Sequence, residues 1–414
     1  MTRRPQRRPS LWRITLLVAL IGVGLYVNQV VVPATPPLFM PTVTPTKSPE
    51  SFVNQADQLY KAGKINLAMD AYKEAINSDP NNPSNYVDLA RLQVFAGQYD
   101  DAILNAQNAL IQSPDNAMAH AIQGWALGFQ EKYGAAEIEI KKALELDPNN
   151  PYTHAYYAEI LINQNDYTQY DKAAEESKKA LELGPNLLEP HRARGIVLLN
   201  TQNVEQAVEE FNTAIAINKN IANLHLYLGV AYKALQKFDL AEEALLAAYA
   251  LNPTDTVALT ELSRSYFGDG RFAQAAQYAE EAVKVSPADP RLHGNLGIVY
   301  YKLEKYDKAI PELALAVHGG TTADGVAVEG IPLDYGRVEE YYWYYGFSLA
   351  RSGRCGEATP IFKALLTGVP NDEVAVFNAT EGLNACEQAS KGPIPTSTPV
   401  PDLTGTPEAL TPTP

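Results

Sequence analysis

The chain reads as an all-α solenoid of about nine stacked helix pairs, closed by a further helix and preceded by one apolar helix. Three observations lead there. The stretch "AINSDPNNP" at Ala75–Pro83 returns 68 residues later as "ALELDPNNP" at Ala143–Pro151. One alanine column recurs about every 34 residues, at Ala68, Ala102, Ala136, Ala173, Ala207, Ala241, Ala275, Ala309 and Ala358. Ahead of the first repeat, 19 mostly apolar residues follow a segment rich in arginine.

In chain order, residues 1–13 carry Arg3, Arg4, Arg7, Arg8 and Arg13 and no acid, which marks a cytoplasmic N-terminus. Residues 14–32 come close to the roughly 20 residues that a helix needs to cross a bilayer, and they are expected to form a signal-anchor. A cleavable signal is the alternative, with Val32-Pro33-Ala34 offering small residues at the cut. Both readings export everything downstream. Residues 33–48 are a Pro/Thr-rich linker with no apolar period, and such sequences are extended spacers.

The repeats occupy residues 49–317 as eight units, with a ninth unit and a capping helix at 339–387. Seven residues after the first alanine column stand Ala75, Ala109, Ala143, Ala180, Ala214, Ala248, Ala282 and Ala316. Twelve residues before it the residue is small: Ala56, Ala90, Gly124, Gly195, Gly229, Ser263, Gly297 and Gly346, with Ala158 displaced by the insertion "DYT". Two antiparallel helices approach closely only where side chains are small, so each unit is expected to set a Gly or Ala on its first helix against an Ala on its second. Pro80, Pro114, Pro148, Pro185, Pro253, Pro287 and Pro370 stop the second helix, because proline cannot continue one.

These columns resemble the tetratricopeptide repeat family from Ser51 to about Glu387. The resemblance implies a right-handed superhelix whose inner wall is lined by the first helix of each unit. The family's usual tryptophan in the fourth slot is replaced by Phe52, Tyr86, His120, His154, His191, His225, Leu259, His293 and Tyr342. Five histidines in one column invite a metal reading. Geometry excludes it, since equivalent helices lie about 8 to 10 Å apart whereas zinc ligands sit about 2 Å from the ion. Packing is the expected role and pH sensing the alternative.

On the inner wall the resemblance places Arg91, Trp125, Phe129, Tyr156, Arg192, Tyr227, Lys233, Arg264, Phe267, Arg291, Tyr301, Trp343, Tyr344 and Phe347. Aromatic and arginine side chains are the groups enriched at interface hot spots, so this set is the candidate partner-binding groove. The Lys/Asn clamp with which some family members hold a C-terminal carboxylate is not found in consecutive units.

Residues 318–338 delay the ninth unit, and their Gly and Asp-Gly pairs around Val326-Ala327-Val328 predict a small β-hairpin. Such an insert beside "YYWYY" is a candidate contact. Pro311 and Pro360 fall early in their helices, where the missing N–H is expected to cost little. The two cysteines, Cys355 and Cys386, fall at helix ends on one side of the array, and in an oxidising compartment they are expected to bridge. The Thr/Pro-rich residues 388–414 are expected to be disordered.

The net charge of −15 argues against nucleic acid as a partner. Ser/His/Asp arrangements, phosphate loops and zinc-binding motifs are absent from the sequence, so neither catalysis nor a cofactor is expected. The expected function is a membrane-anchored extracytoplasmic scaffold or assembly factor that binds a protein or peptide through its concave face. An envelope glycan stacked on groove aromatics is the alternative. The oligomeric state stays open.

Overall fold

The computed structural model describes residues 10–31 and 48–391. Most of the basic segment, the linker and the terminal tail therefore lie outside the described residues. Helix α1 (Leu11–Tyr26) runs into a π-helical turn at Val27–Val31. It starts three residues before the predicted span, taking in Arg13, and Leu11–Gln29 is long and apolar enough to cross a membrane by length and composition.

Nine helix pairs follow: α2 (Pro49–Lys61) and α3 (Ile65–Ser78), α4 (Pro83–Phe95) and α5 (Tyr99–Gln112), α6 (Ala117–Phe129) and α7 (Tyr133–Leu146). The middle units are α8 (Pro151–Asn163) and α9 (Tyr170–Leu183), α10 (Leu188–Asn200) and α11 (Val204–Ile217), α12 (Ala222–Ala234) and α13 (Phe238–Leu251). The last are α14 (Thr256–Gly268) and α15 (Phe272–Val285), α16 (Pro290–Lys302) and α17 (Tyr306–His318), α18 (Arg337–Arg351) and α19 (Cys355–Gly368), closed by α20 (Glu373–Lys391). The fold is the all-α helix-pair solenoid that the sequence predicts. The cap runs four residues past its predicted end.

The recurring turn does two jobs. Its proline ends one helix, and its last polar residue starts the next: Asn82, Asn116, Asn150, Asp255 and Asp289 each accept a backbone N–H through the side chain. Pro83, Pro151 and Pro290 then occupy the first helical position, where no N–H is needed. The turn inside each unit needs a left-handed residue. Gly63, Gly97, Gly270 and Gly353 supply it at φ +74°, whereas Glu131, Gln202, Gln236 and Glu304 adopt φ of 57–63° at the same place.

The small column meets something other than the expected alanine. A Cβ on Gly195 would stand 2.6 Å from Phe211, on Gly229 2.5 Å from Leu245, on Gly297 2.5 Å from Leu313 and on Gly346 2.6 Å from Phe362. The glycine is a hole, and the large residue four positions after the alanine fills it. Small against small, as expected from sequence, gives way to small against large in these units.

Pro311 and Pro360 also need correction. Each lies a full turn inside its helix, so each removes a ladder hydrogen bond. The insert forms the predicted hairpin in miniature: β1 (Gly320–Thr321) pairs antiparallel with β2 (Ala327–Val328), Gly320 opposite Val328. Its base is tied to the array by Ile331 N–H donating to the Ala316 carbonyl at 2.8 Å and Tyr342 Oη to the Ile331 carbonyl at 2.9 Å.

Candidate partner-binding groove

The first helices of units 1 to 6 face one another across the superhelix axis. Tyr60 packs with Leu188, Ile221 and Leu224, and Asn220 Nδ2 donates to the Lys61 carbonyl at 3.2 Å, joining unit 1 to units 5 and 6. Five of the expected groove residues meet in this narrow part. Arg192 Nη1 donates to both Glu159 oxygens at 2.7 and 2.9 Å, and its Nε donates to Asn223 Oδ1 at 3.0 Å. Trp125 Nε1 donates to the same carboxylate at 2.7 Å. The Arg192 guanidinium lies 5.2 Å from the Trp125 ring and 5.9 Å from Tyr227, while Trp125 stacks on Tyr156 at 4.2 Å. Arg91 lies over Tyr60 and Tyr152 and pairs with Glu189 at 3.4 Å.

Trp125, Tyr156 and Arg192 are consequently core residues, at 1%, 0% and 2% exposure. The expectation of an open wall is corrected for Trp125 and Tyr156, which are buried in the core, whereas Arg192, although nearly buried, borders an open channel. Burial works against both charges of the central pair. Arg192 nonetheless stays firmly protonated beside Glu159, whose carboxyl burial pushes up against the pull of Arg192 and Trp125.

Beside this plug the lumen stays open as a channel of about 1280 Å³. Phe129, Arg192 and Tyr227 from the expected set line it, together with Tyr99, Tyr167, Tyr170 and Asn200, which lie outside that set. Tyr167 is 82% exposed and belongs to the three-residue insertion, which forms a short 3-10 turn capped by Asp166. That insertion is the signal that marks the channel mouth in the sequence.

Towards the C-terminus, Lys233 and Arg264 share Glu261, with Arg264 Nη1 to Oε1 at 2.9 Å. Phe267 and these two cations border a smaller cavity of about 330 Å³. Tyr301, Tyr344 and Phe347 form a half-buried aromatic cluster, with Tyr301 5.0 Å from Tyr344 and 6.4 Å from Phe347. Trp343 is buried beneath it at 8% exposure and is corrected from wall to core. Arg291 is exposed at the start of α16.

The histidines share one geometry. Nε2 of His120, His154, His191 and His293 lies 2.9–3.1 Å from the carbonyl of Pro114, Pro148, Pro185 and Pro287, and Nδ1 lies 2.5–2.6 Å from Glu139, Glu176, Glu210 and Glu312. A carbonyl and a carboxylate both accept, so two donating N–H groups satisfy the ring best. The hydrogen bond to Glu210 holds His191 above the usual histidine range. Burial opposes the same effect at His293, but Glu312 and the Pro287 carbonyl still raise it. His225 keeps only the carbonyl, that of Lys219 at 2.7 Å, because Ala244 stands where the other units have glutamate. These glutamates form a column of their own in the sequence, three residues after the first alanine. Among the described residues no group of three His, Cys, Asp or Glu is placed to hold a metal ion.

Cys355 at the start of α19 and Cys386 in α20 form a disulfide with Cα atoms 5.3 Å apart. It fastens the capping helix to the ninth unit.

A stack of paired helices with a closed N-terminal turn and an aromatic-lined lumen defines a helical-repeat scaffold. Tetratricopeptide repeat profiles match residues 59–126, 119–150, 139–173, 192–256 and 260–324, together more than half of the chain. The chain belongs to the tetratricopeptide repeat family. Among solved structures, a chain from the crystal structure of the APC/C hetero-tetramer Cut9-Hcn1 is similar over 89% of this chain and 82% of its own, at 15% identity and a TM-score of 0.55. That likeness shows the shared fold. A chain from the functional characterisation of Pseudomonas aeruginosa pilF aligns at 19% identity over 48% of this chain and 88% of its own, TM-score 0.41. MamA aligns at 23% identity over 35% and 85%, TM-score 0.33. No curated protein matches the chain.

Proposed function

We propose that this repeat scaffold is tethered to a membrane by α1, lies on the extracytoplasmic side, and binds a protein or peptide partner in the lumen of its superhelix. The observation that carries the binding reading is the open channel of about 1280 Å³, lined by Tyr99, Tyr170, Tyr227, Phe95 and Phe129 among asparagines, with Asp255 and Glu261 its acidic side chains. Rings with one polar edge bind extended segments with little loss of rotamer entropy. The arginine-flanked apolar helix and the Cys355–Cys386 bridge support the location, since bridges persist in oxidising compartments.

A photocrosslinking amino acid at Tyr167, in the channel mouth, is expected to capture a specific protein in intact cells. The same group at exposed Glu243 on a second helix is expected not to. Equal capture from both positions, or from neither, would refute the channel as the binding face.

A further inference from the structure

Unit 7 departs from the packing rule that the glycine-bearing units keep. Where the first helix carries glycine, Ile140, Phe211, Leu245, Leu313 or Phe362 fills the gap. Two units with small residues on both helices fill it otherwise: in unit 2 Asn105 donates to buried Gln93 at 2.9 Å, and in unit 4 Arg194 reaches to Ser177 Oγ at 3.2 Å. Unit 7 sets Ser263 at the register of Ala279; Ser263 Oγ donates to the Ala275 carbonyl at 2.9 Å, and a cavity remains beside the pair. The cavity of about 330 Å³ opens there, lined by both residues and by Phe238 and Phe267.

Its rim is cationic in a chain of net charge −15. Lys233, Arg264 and Arg337 come to it from three different units. The carboxylates that answer them are Glu261, shared by Lys233 and Arg264, and Glu340, 2.8 Å from Arg337. Three cations therefore face two acids. Arg264 Nε is buried without a hydrogen-bond partner, so its desolvation goes uncompensated. Apolar walls of this volume with a few convergent polar groups are the usual make-up of a ligand pocket.

Resting on the groove reading above, we propose that this pocket receives a bulky apolar side chain from an extended partner segment, and that an adjacent carboxylate of the same segment pairs with Arg264 and Arg337. The incoming side chain takes the place of the residue that unit 7 lacks. The charge set selects an acidic neighbour rather than a neutral or basic one.

The test is calorimetric titration of the full-length protein in detergent with a capped hexapeptide bearing a central Phe-Glu pair among Gly and Ser. Versions with Phe-Gln and Ala-Glu serve as comparisons. Phe-Glu is expected to bind, more weakly at 500 mM than at 50 mM salt, and each altered peptide to lose about tenfold or more, equivalent to about 1.4 kcal/mol. Ala279→Leu restores the large residue of units 6 and 8 and is expected to abolish binding without lowering the melting temperature. Arg264→Gln is expected to bind Phe-Glu and Phe-Gln alike. Undiminished binding by Ala279→Leu, or binding indifferent to the carboxylate and to salt, overturns the proposal. So does tighter binding of a synthetic peptide of residues 392–414, which would give the pocket to this chain's own C-terminal segment. Failure of wild type to bind Phe-Glu while Tyr167 still captures a protein removes the pocket and leaves the channel reading standing.

Discussion

Replacing Arg192 by methionine should destabilise the N-terminal half of the solenoid more than any surface change. Arg192 is 2% exposed and Glu159 1%, so water cannot replace either partner. Without the guanidinium, Glu159 Oε1 loses its donor, and Oε2 keeps only Trp125 Nε1 at 2.7 Å. An uncompensated buried charge of this kind costs about 3–5 kcal/mol, and Glu159→Leu should cost about the same by stranding the guanidinium. Removing both together leaves no buried charge. What remains is the loss of partners for Trp125 and Asn223, worth about 1–3 kcal/mol. The double variant should therefore recover at least about 2 kcal/mol relative to the sum of the singles. The assay is urea unfolding followed by Trp125 fluorescence in a background where Trp12 and Trp343 are phenylalanine. Because the pair is shielded, 0.5 M salt should change the coupling little. A single-variant cost under about 1 kcal/mol, or strict additivity, would refute the view that this network is a core rather than a binding surface.

Gln236→Gly and Glu131→Gly should each raise stability by up to about 1 kcal/mol, read as a higher urea midpoint, because both side chains sit at φ near +58° where other units use glycine. Stability should fall as pH rises above about 6.5. His191 and His293 have folded pKa values above their unfolded ones, so their contribution is complete below the unfolded value of about 6.5 and is lost as pH passes the folded value. Glu339 acts in the same direction over a lower range. Burial, with Asp372 beside it, pushes its carboxyl to about 7, so the fold favours the protonated acid and loses that advantage between about pH 4.5 and 7. Melting curves of His293→Gln and Glu339→Gln should each flatten their own part of the profile. Cys386→Ser should lower stability by roughly 3–4 kcal/mol under non-reducing conditions, the loop-closure value for about 30 residues, and dithiothreitol should bring wild type to the same level.

Much of the fold is written in the sequence because each unit repeats the same short-range problem. Alanine columns, Pro-Asn turns and the two cysteines state it residue by residue. Which groove residues stay open is written nowhere locally. It depends on the small rotation from one unit to the next, summed over the four steps from unit 1 to unit 5 that bring Tyr60 beside Leu188. No single side chain encodes that sum, and so Trp125 and Tyr156 read as wall although the closed turn makes them core. The histidine column lay between these cases. Its packing role was legible, but its partners required reading Glu139, Glu176, Glu210 and Glu312 as a matching column.

The contact between Asn220 and the end of α2 gives the array a mechanical property that stacked repeats ordinarily lack. In a simple stack each unit leans only on its neighbours, and tension applied at one end peels them off in sequence. Here the first unit is also buttoned to the sixth, 159 residues along the chain. Load entering from the N-terminal side is spread over the whole first coil, which must give way as one block before any of its members is released.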